Sequence, residues 1–147
     1  MAKSLFVALA ALVAMLPGLS AQRRNENQHP TEHLWAAITV QEPIFQEGRT
    51  ESLQVYFGLF NDGHLTINPK IDSSHLLING VEPKDWPFII TNGLRTPSFN
   101  SLPPGQYLRF TYVLGRYFQK PGIYTLRWKG ENFRSAELTF RVLPGKR

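Results

Sequence analysis

The chain contains no cysteine, which excludes disulfide bonds, thiolate metal ligands and a cysteine nucleophile. It also carries little charge, because Asp, Glu, Lys and Arg together make up only 18% of the residues. The net charge of +5 is spread along the chain and is mild compared with the concentrated basic surfaces of nucleic-acid binders. We therefore expect no nucleic-acid partner.

Long apolar runs are also scarce, and the one that occurs lies at the N-terminus. Lys3 precedes the uninterrupted run Leu5–Leu16, and Pro17-Gly18 follows it. This pattern, with small residues before Gln22, is typical of a cleaved signal peptide. The run is shorter than the about 20 apolar residues that cross a bilayer. The sequence thus predicts an exported protein, periplasmic or secreted, with no transmembrane segment in its mature form.

Composition along the chain predicts four segments. Residues 1–21 form the signal peptide, and residues 22–33 form a flexible polar leader without apolar residues to pack. A single β-domain spans 34–143, and 144–147 is a C-terminal tail. Cleavage one residue earlier, after Ser20, fits the pattern equally well.

The domain is rich in turn residues, with 11 Gly and 11 Pro, and 12% of the chain is aromatic. Apolar segments between these turns predict an all-β fold, a single antiparallel sandwich of about seven to eight strands. The predicted strands are Leu34–Val40, Leu53–Phe60, His75–Ile78, Asp85–Thr91, Gln106–Leu114, Ile123–Trp128 and Ala136–Val142, with short extended pieces within 41–49 and at Leu65–Asn68.

Alternation within these strands predicts which side chains face the core. They are Val55, Phe57, Leu59, Phe110, Tyr112, Tyr124, Leu126, Trp128, Leu138 and Phe140. The last two strands are expected to pair antiparallel, which would place Arg127 near Glu137 on the solvent face. This placement depends on the register, because a slip of one residue exchanges the two faces.

The most specific local pattern is Pro121-Gly122-Ile123-Tyr124. A tyrosine directly after a turn, at the start of the second-last strand, has the position of the tyrosine corner of immunoglobulin-like sandwiches. In that motif the hydroxyl bonds to the backbone a few residues upstream. The alternative is an ordinary core tyrosine.

On these features, the chain from Val55 to Leu143 resembles uncharacterised exported bacterial proteins that consist of a single immunoglobulin-like sandwich. The segment LPPGQYLRFTYVLGRYFQKPGIYTLRWKG also resembles, more distantly, the Pro-Gly and G-x-Y pattern of intracellular proteinase inhibitor-type sandwiches. The first resemblance implies an immunoglobulin-like fold. The second implies an alternative function, inhibition of an exported protease or other hydrolase.

The residues offer little for catalysis or metal binding. His29 and His33 have helical spacing, but Pro30 lies between them and zinc sites need three or four ligands. The stretch Asp72-Ser73-Ser74-His75 contains suitable residue types, but neighbours in a strand point to opposite faces. A Gly-X-Ser-X-Gly elbow and a Gly-rich phosphate loop are both missing from the sequence. We therefore expect no enzyme activity, no metal and no cofactor.

The surface loops are then the remaining candidates for a binding function. The loop 92–104 carries Arg95 and Phe99 and is stiffened by prolines, while Arg116-Tyr117-Phe118 places a cation beside two aromatic rings. These residues (Arg95, Phe99, Arg116, Tyr117 and Phe118) are the candidate contacts for an unknown protein or an envelope glycan. In the alternative interpretation the aromatic side chains cover the ends of the core. The predicted function is a non-catalytic binding module.

Overall fold

Seven strands and one short α-helix are the regular elements of residues 33–145, which the structure, a computed structural model, describes. The predicted signal peptide, His29, nearly all of the polar leader and the last two residues lie outside the described residues. The elements are β1 (Leu34–Val40), β2 (Ile44–Gln46), β3 (Gln54–Asn61), β4 (His75–Ile78), α1 (Trp86–Thr91), β5 (Tyr107–Val113), β6 (Gly122–Lys129) and β7 (Leu138–Leu143).

The strands form two sheets, one with the order β1-β3-β5 and the other with the order β2-β7-β6-β4. This arrangement confirms the predicted all-β sandwich. Every pairing between strands is antiparallel except that of β2 with β7, which is parallel. After β1 the chain crosses to the other sheet, so the short β2 pairs with β7 and not with β1, its neighbour in sequence.

The strand order matches the immunoglobulin-like arrangement, in which strands A, B and E share one sheet and C, F and G the other. Strands β1, β3 and β5 take the positions of A, B and E, and β4, β6 and β7 those of C, F and G. In the described residues no strand corresponds to D. The chain between β4 and β5 instead forms α1 and a 3-10 turn at Pro97–Phe99.

Aromatic rings fill the centre of the core between the sheets. The ring of Phe57 lies 4.9 Å from that of Phe110, 5.3 Å from that of Trp128 and 5.6 Å from that of Trp86, measured between centroids. The side chains predicted to face inward all belong to this core or pack against it. Alternation therefore predicted the correct face of each of these strands.

The segment Asp85–Thr91 is a correction, because it forms helix α1 and not a strand. Trp86 and Ile90, four residues apart, are both buried, while Phe88 between them is 71% exposed. That periodicity is helical, and Pro87 fits in the first helical turn, where its missing N–H costs nothing. A short apolar run without alternation does not distinguish a strand from one buried helical turn.

The tyrosine corner is confirmed. The Tyr124 hydroxyl donates a hydrogen bond of 2.8 Å to the carbonyl oxygen of Lys120, four residues upstream. The predicted pairing of the last two strands is also confirmed, with Leu126 opposite Leu138. On the solvent side, Arg127 Nη2 lies 3.2 Å from Glu137 Oε2.

Candidate functional site

The first pair of predicted contact residues, Arg95 and Phe99, is engaged within the domain. Phe99 is buried, and its ring lies 5.1 Å from that of Phe110. Arg95 forms an ion pair with Asp72, donates a 2.9 Å hydrogen bond to the Ile90 carbonyl oxygen, and holds its guanidinium 5.4 Å from the Phe99 ring centroid. These contacts support the interpretation of loop 92–104 as a cover over the core.

The second group is similarly engaged. Phe118 is fully buried, with its ring 5.0 Å from that of Phe140. The Tyr117 hydroxyl donates to the Asp85 carboxylate, and Arg116 Nη2 lies 2.5 Å from the other Asp85 oxygen. The hydrogen bond from Tyr117 lowers the pKa of Asp85, with a smaller contribution from Arg116. Burial raises the pKa of Tyr117, and its bond to Asp85 adds to that increase. This cluster fastens the chain after β5 to the start of α1.

A different surface, on the outside of the three-stranded sheet, exposes aromatic side chains. The strand register aligns Trp35 of β1 with Phe60 of β3 and Tyr107 of β5. Trp35 is 49% exposed and Tyr107 is 45% exposed. The Phe60 and Tyr107 rings stack with their centroids 4.4 Å apart. We call these three residues the aromatic row.

Small side chains follow the aromatic row on the same face. In the next row, Ala37 lies opposite Gly58, and Gly58 lies opposite Arg109. A Cβ atom added at Gly58 would meet no atom within 4 Å, so this position opens to solvent. Tyr56 stands in the row beyond. Ala37 and Gly58 thus form the floor of a trough between the aromatic row and Tyr56.

Polar groups border the trough and order its side chains. Trp35 Nε1 donates a 2.5 Å hydrogen bond to Asp62 Oδ2, which belongs to the turn after β3. The Tyr56 hydroxyl donates to Gln54 Oε1 over 2.8 Å, and the Arg109 guanidinium lies 5.7 Å from the Tyr107 ring centroid. The trough, the aromatic row and these polar groups together form a surface that we call the outer face.

Asp72, Ser74 and His75, from the stretch that was considered for catalysis, each contact a different partner. His75 Nδ1 lies 2.9 Å from Glu82 Oε2, Asp72 pairs with Arg95, and the Ser74 hydroxyl accepts a 3.0 Å bond from Trp128 Nε1. Within residues 33–145, no three His, Asp or Glu side chains gather as a metal site would require. A shallow cleft of about 570 Å³ lies beside β2 and is lined in part by Ile44, Phe45 and Arg49.

The sequence analysis did not predict the outer face, because this surface depends on the pairing register of β1, β3 and β5. Tyr56, Phe60 and Tyr107 alternate with predicted core positions in their strands, so the pattern does place them on the solvent side. For the strand that carries Trp35, the sequence analysis predicted no inward face. Which of them lie side by side is decided by the pairing of three strands. The sequence of each strand alone does not specify that pairing.

The fold and the outer face together define an immunoglobulin-like β-sandwich with an exposed aromatic sheet face. No protein-family model, curated protein or solved structure matches this chain. The resemblance to exported bacterial sandwiches therefore stays a prediction. In the described part of the chain, no helix has the length and apolar character needed to cross a membrane.

Proposed function

We propose that the protein is an exported, non-catalytic binding module whose outer face binds a glycan chain. The observation that carries the proposal is the aromatic row beside an open trough. Export is supported by the signal-peptide pattern of residues 1–21. Exposed aromatic clusters on a folded domain mark interaction surfaces, because leaving them in water is unfavourable.

The chemistry of the outer face favours a carbohydrate. A sugar ring combines an apolar C–H face with hydroxyl groups at its rim, so it packs on aromatic carbon while its hydroxyls need donors and acceptors nearby. Trp35 supplies exposed aromatic surface with the Asp62 carboxylate beside it as an acceptor. Arg109 supplies donors beside the Tyr107 ring. An open trough on a sheet accommodates an extended chain better than a small ligand, which generally requires a concave pocket.

Binding without cleavage is supported by the carboxylate count on this surface. Hydrolysis of a glycosidic bond ordinarily uses two carboxyl groups on opposite sides of the bond. The three strands of this sheet, β1, β3 and β5, contain no Asp or Glu, and Asp62 in the turn after β3 is already hydrogen bonded to Trp35. The surface therefore offers recognition groups without the second acid or base.

Tryptophan fluorescence tests the proposal directly. Trp86 and Trp128 are both fully buried, so Trp35 is the indole that a ligand on the outer face would contact. We expect titration of the mature protein with soluble polysaccharides, including peptidoglycan fragments, to change Trp35 emission and to protect it from acrylamide quenching. Trp35→Ala should abolish retention on the matching insoluble polysaccharide.

Leu94→Ala is the matched control, because Leu94 is a large apolar side chain that is 98% exposed but lies on the loop after α1. It should bind like the unchanged protein. Retention that survives Trp35→Ala would contradict the proposal, as would capture of a protein in place of every polysaccharide. Inhibition of an exported protease by the mature protein would favour the alternative function.

A further inference from the structure

Strand β5 forms an unpaired edge of the three-stranded sheet. It is seven residues long and contains no proline, whereas the edge strands of the other sheet, β2 and β4, have three and four residues. The opposite edge of its own sheet, β1, is bridged through Ala36 to Ser135 in the connection between β6 and β7. Long, regular edges are sites of strand addition unless bulges, proline or charges block them.

The hydrogen bonds at the two ends of β5 show which of its groups point outward. Leu114 N–H donates to the Leu53 carbonyl over 3.0 Å, and Asn61 N–H donates to the Gln106 carbonyl over 3.1 Å. Alternate residues of an antiparallel strand bond to the same neighbour, so Leu108, Phe110 and Tyr112 direct their backbone groups to β3. The outward groups then belong to Tyr107, Arg109, Thr111 and Val113. In residues 33–145, no hydrogen bond to these outward groups is formed outside the strand ladder.

Apolar side chains flank this edge. Of the residues of β5 whose backbone groups point outward, Val113 is 59% exposed and Tyr107 is 45% exposed. An added strand would therefore cover exposed apolar surface in addition to satisfying the backbone groups.

We infer that a second copy of this chain occupies the edge, with the two β5 strands antiparallel and Phe110 on the two-fold axis. In this register Tyr107 lies opposite the partner's Val113, and Arg109 lies opposite the partner's Thr111. The first pair combines an aromatic with a β-branched side chain, a combination that stabilises antiparallel sheets. The second brings no like charges together.

Neighbouring registers are less favourable. A shift by two residues in one direction places Arg109 opposite the partner's Arg109, and facing like charges destabilise a strand pair. A shift in the other direction carries Tyr107 past the end of the partner strand, which loses backbone hydrogen bonds. The composition of β5 therefore selects the register centred on Phe110.

The dimer has a consequence for the outer face. Joining two β5 strands makes one six-stranded sheet, with the two outer faces on the same side of it. Two binding surfaces on one rigid support raise the avidity for a repetitive ligand without any new contact. The dimer itself does not depend on the ligand being a glycan, because it rests on the edge alone.

Sedimentation equilibrium of the mature protein tests this inference. We expect a reversible monomer–dimer equilibrium. Thr111→Pro removes an N–H that points away from β3, so the variant should stay folded, and it should be monomeric. Thr111→Glu places a carboxylate opposite the partner's Arg109 and should tighten the dimer, whereas Thr111→Arg should weaken it. We expect changes of about tenfold in Kd in opposite directions.

Thr139→Glu on β7 is the matched control, because Thr139 is an exposed threonine on the other sheet, and it should leave the equilibrium unchanged. A protein that is monomeric at all concentrations would overturn the inference. A dimer that tolerates Thr111→Pro, or that responds equally to Thr111→Glu and Thr111→Arg, would overturn it as well. Retention of the Trp35→Ala variant on the insoluble polysaccharide is a separate measurement. Failure of the dimer inference and failure of the proposed function are therefore distinguishable.

Discussion

At the scale of single residues, two buried tryptophans converge on one serine. Trp86 Nε1 donates to the Ser74 carbonyl oxygen over 2.8 Å, and Trp128 Nε1 donates to the Ser74 hydroxyl over 3.0 Å. An indole N–H that is buried without a partner costs free energy, because it has lost its bond to water. In the described residues, every buried side-chain nitrogen or oxygen has such a partner.

Ser74→Ala should lower the free energy of unfolding by about 1–3 kcal/mol, because Trp128 Nε1 would stay buried and lose its acceptor. The measurement is urea denaturation followed by tryptophan fluorescence. Ser73→Ala is the control, since Ser73 is exposed and should be near neutral. Equal effects of the two changes would mean that the indole bond contributes nothing.

Tyr124→Phe should lower the free energy of unfolding by about 0.5–1.5 kcal/mol, because the ring stays in place while the corner hydrogen bond to Lys120 is lost. Tyr107→Phe is the control, because Tyr107 lies on the outer face and its ring stacks on Phe60 in either form. If both changes have the same negligible effect, the corner bond does not stabilise the protein.

Asp85 should make the stability depend on pH in the acid range. Its pKa is lowered in the folded state, chiefly by the hydrogen bond from Tyr117. Because the pKa of Asp85 is lower in the folded state, its ionised carboxylate stabilises the fold at pH values above the pKa of Asp85 in the unfolded chain. This stabilisation is lost as the pH falls through the pKa of Asp85 in the folded state. Tyr117→Phe removes the main cause, so the Tm of this variant should fall less between pH 5 and pH 2. A parallel fall in both proteins would show that the pair is not responsible.

At the scale of elements, the strands whose apolar residues alternate were predicted closely, and the apolar run after Asp85 was not. The limits of β3, β5 and β6 differ from the sequence prediction by one residue at each end. Alternation reports directly on burial, which explains this success. The run Trp86-Pro87-Phe88-Ile89-Ile90 carries no such signal, and only the packing of Trp86 and Ile90 against the core shows that it is helical.

The helical assignment of α1 leads to a mutational test. In a strand Phe88 and Ile90 would share a face, whereas in α1 Ile90 is buried and Phe88 is exposed. Ile90→Ala should therefore lower the free energy of unfolding by about 2–5 kcal/mol, and Phe88→Ala should have little effect. Unfolding by guanidinium chloride measures both. Comparable losses from both changes would instead indicate a strand.

At the scale of the whole molecule, the core and the candidate site differ in how far the sequence predicts them. The part of the core that lies on alternating strands follows from their period of two, whereas Trp86, Phe99 and Phe118 join the core from segments outside the strands. The outer face requires Trp35, Phe60 and Tyr107, which are far apart in sequence, to be brought level by two strand pairings. Arg95, Phe99, Arg116, Tyr117 and Phe118 were predicted from local composition, and the structure directs all five into contacts within the domain.

Substitution of Gly58 by valine should affect the stability of the domain and its binding to polysaccharide in different ways. Glycine in the middle of a strand is unfavourable, because it loses backbone freedom on folding and has no side chain to pack. A Cβ at this position meets no atom within 4 Å, so Gly58→Val should fit the sheet and leave the Tm unchanged or raise it. The same side chain would fill the floor of the trough between the aromatic row and Tyr56, so we expect it to abolish polysaccharide retention. Ala37→Ser, which keeps a small side chain on the floor beside Gly58, should bind normally. Full retention by Gly58→Val would show that the trough is not where the ligand lies.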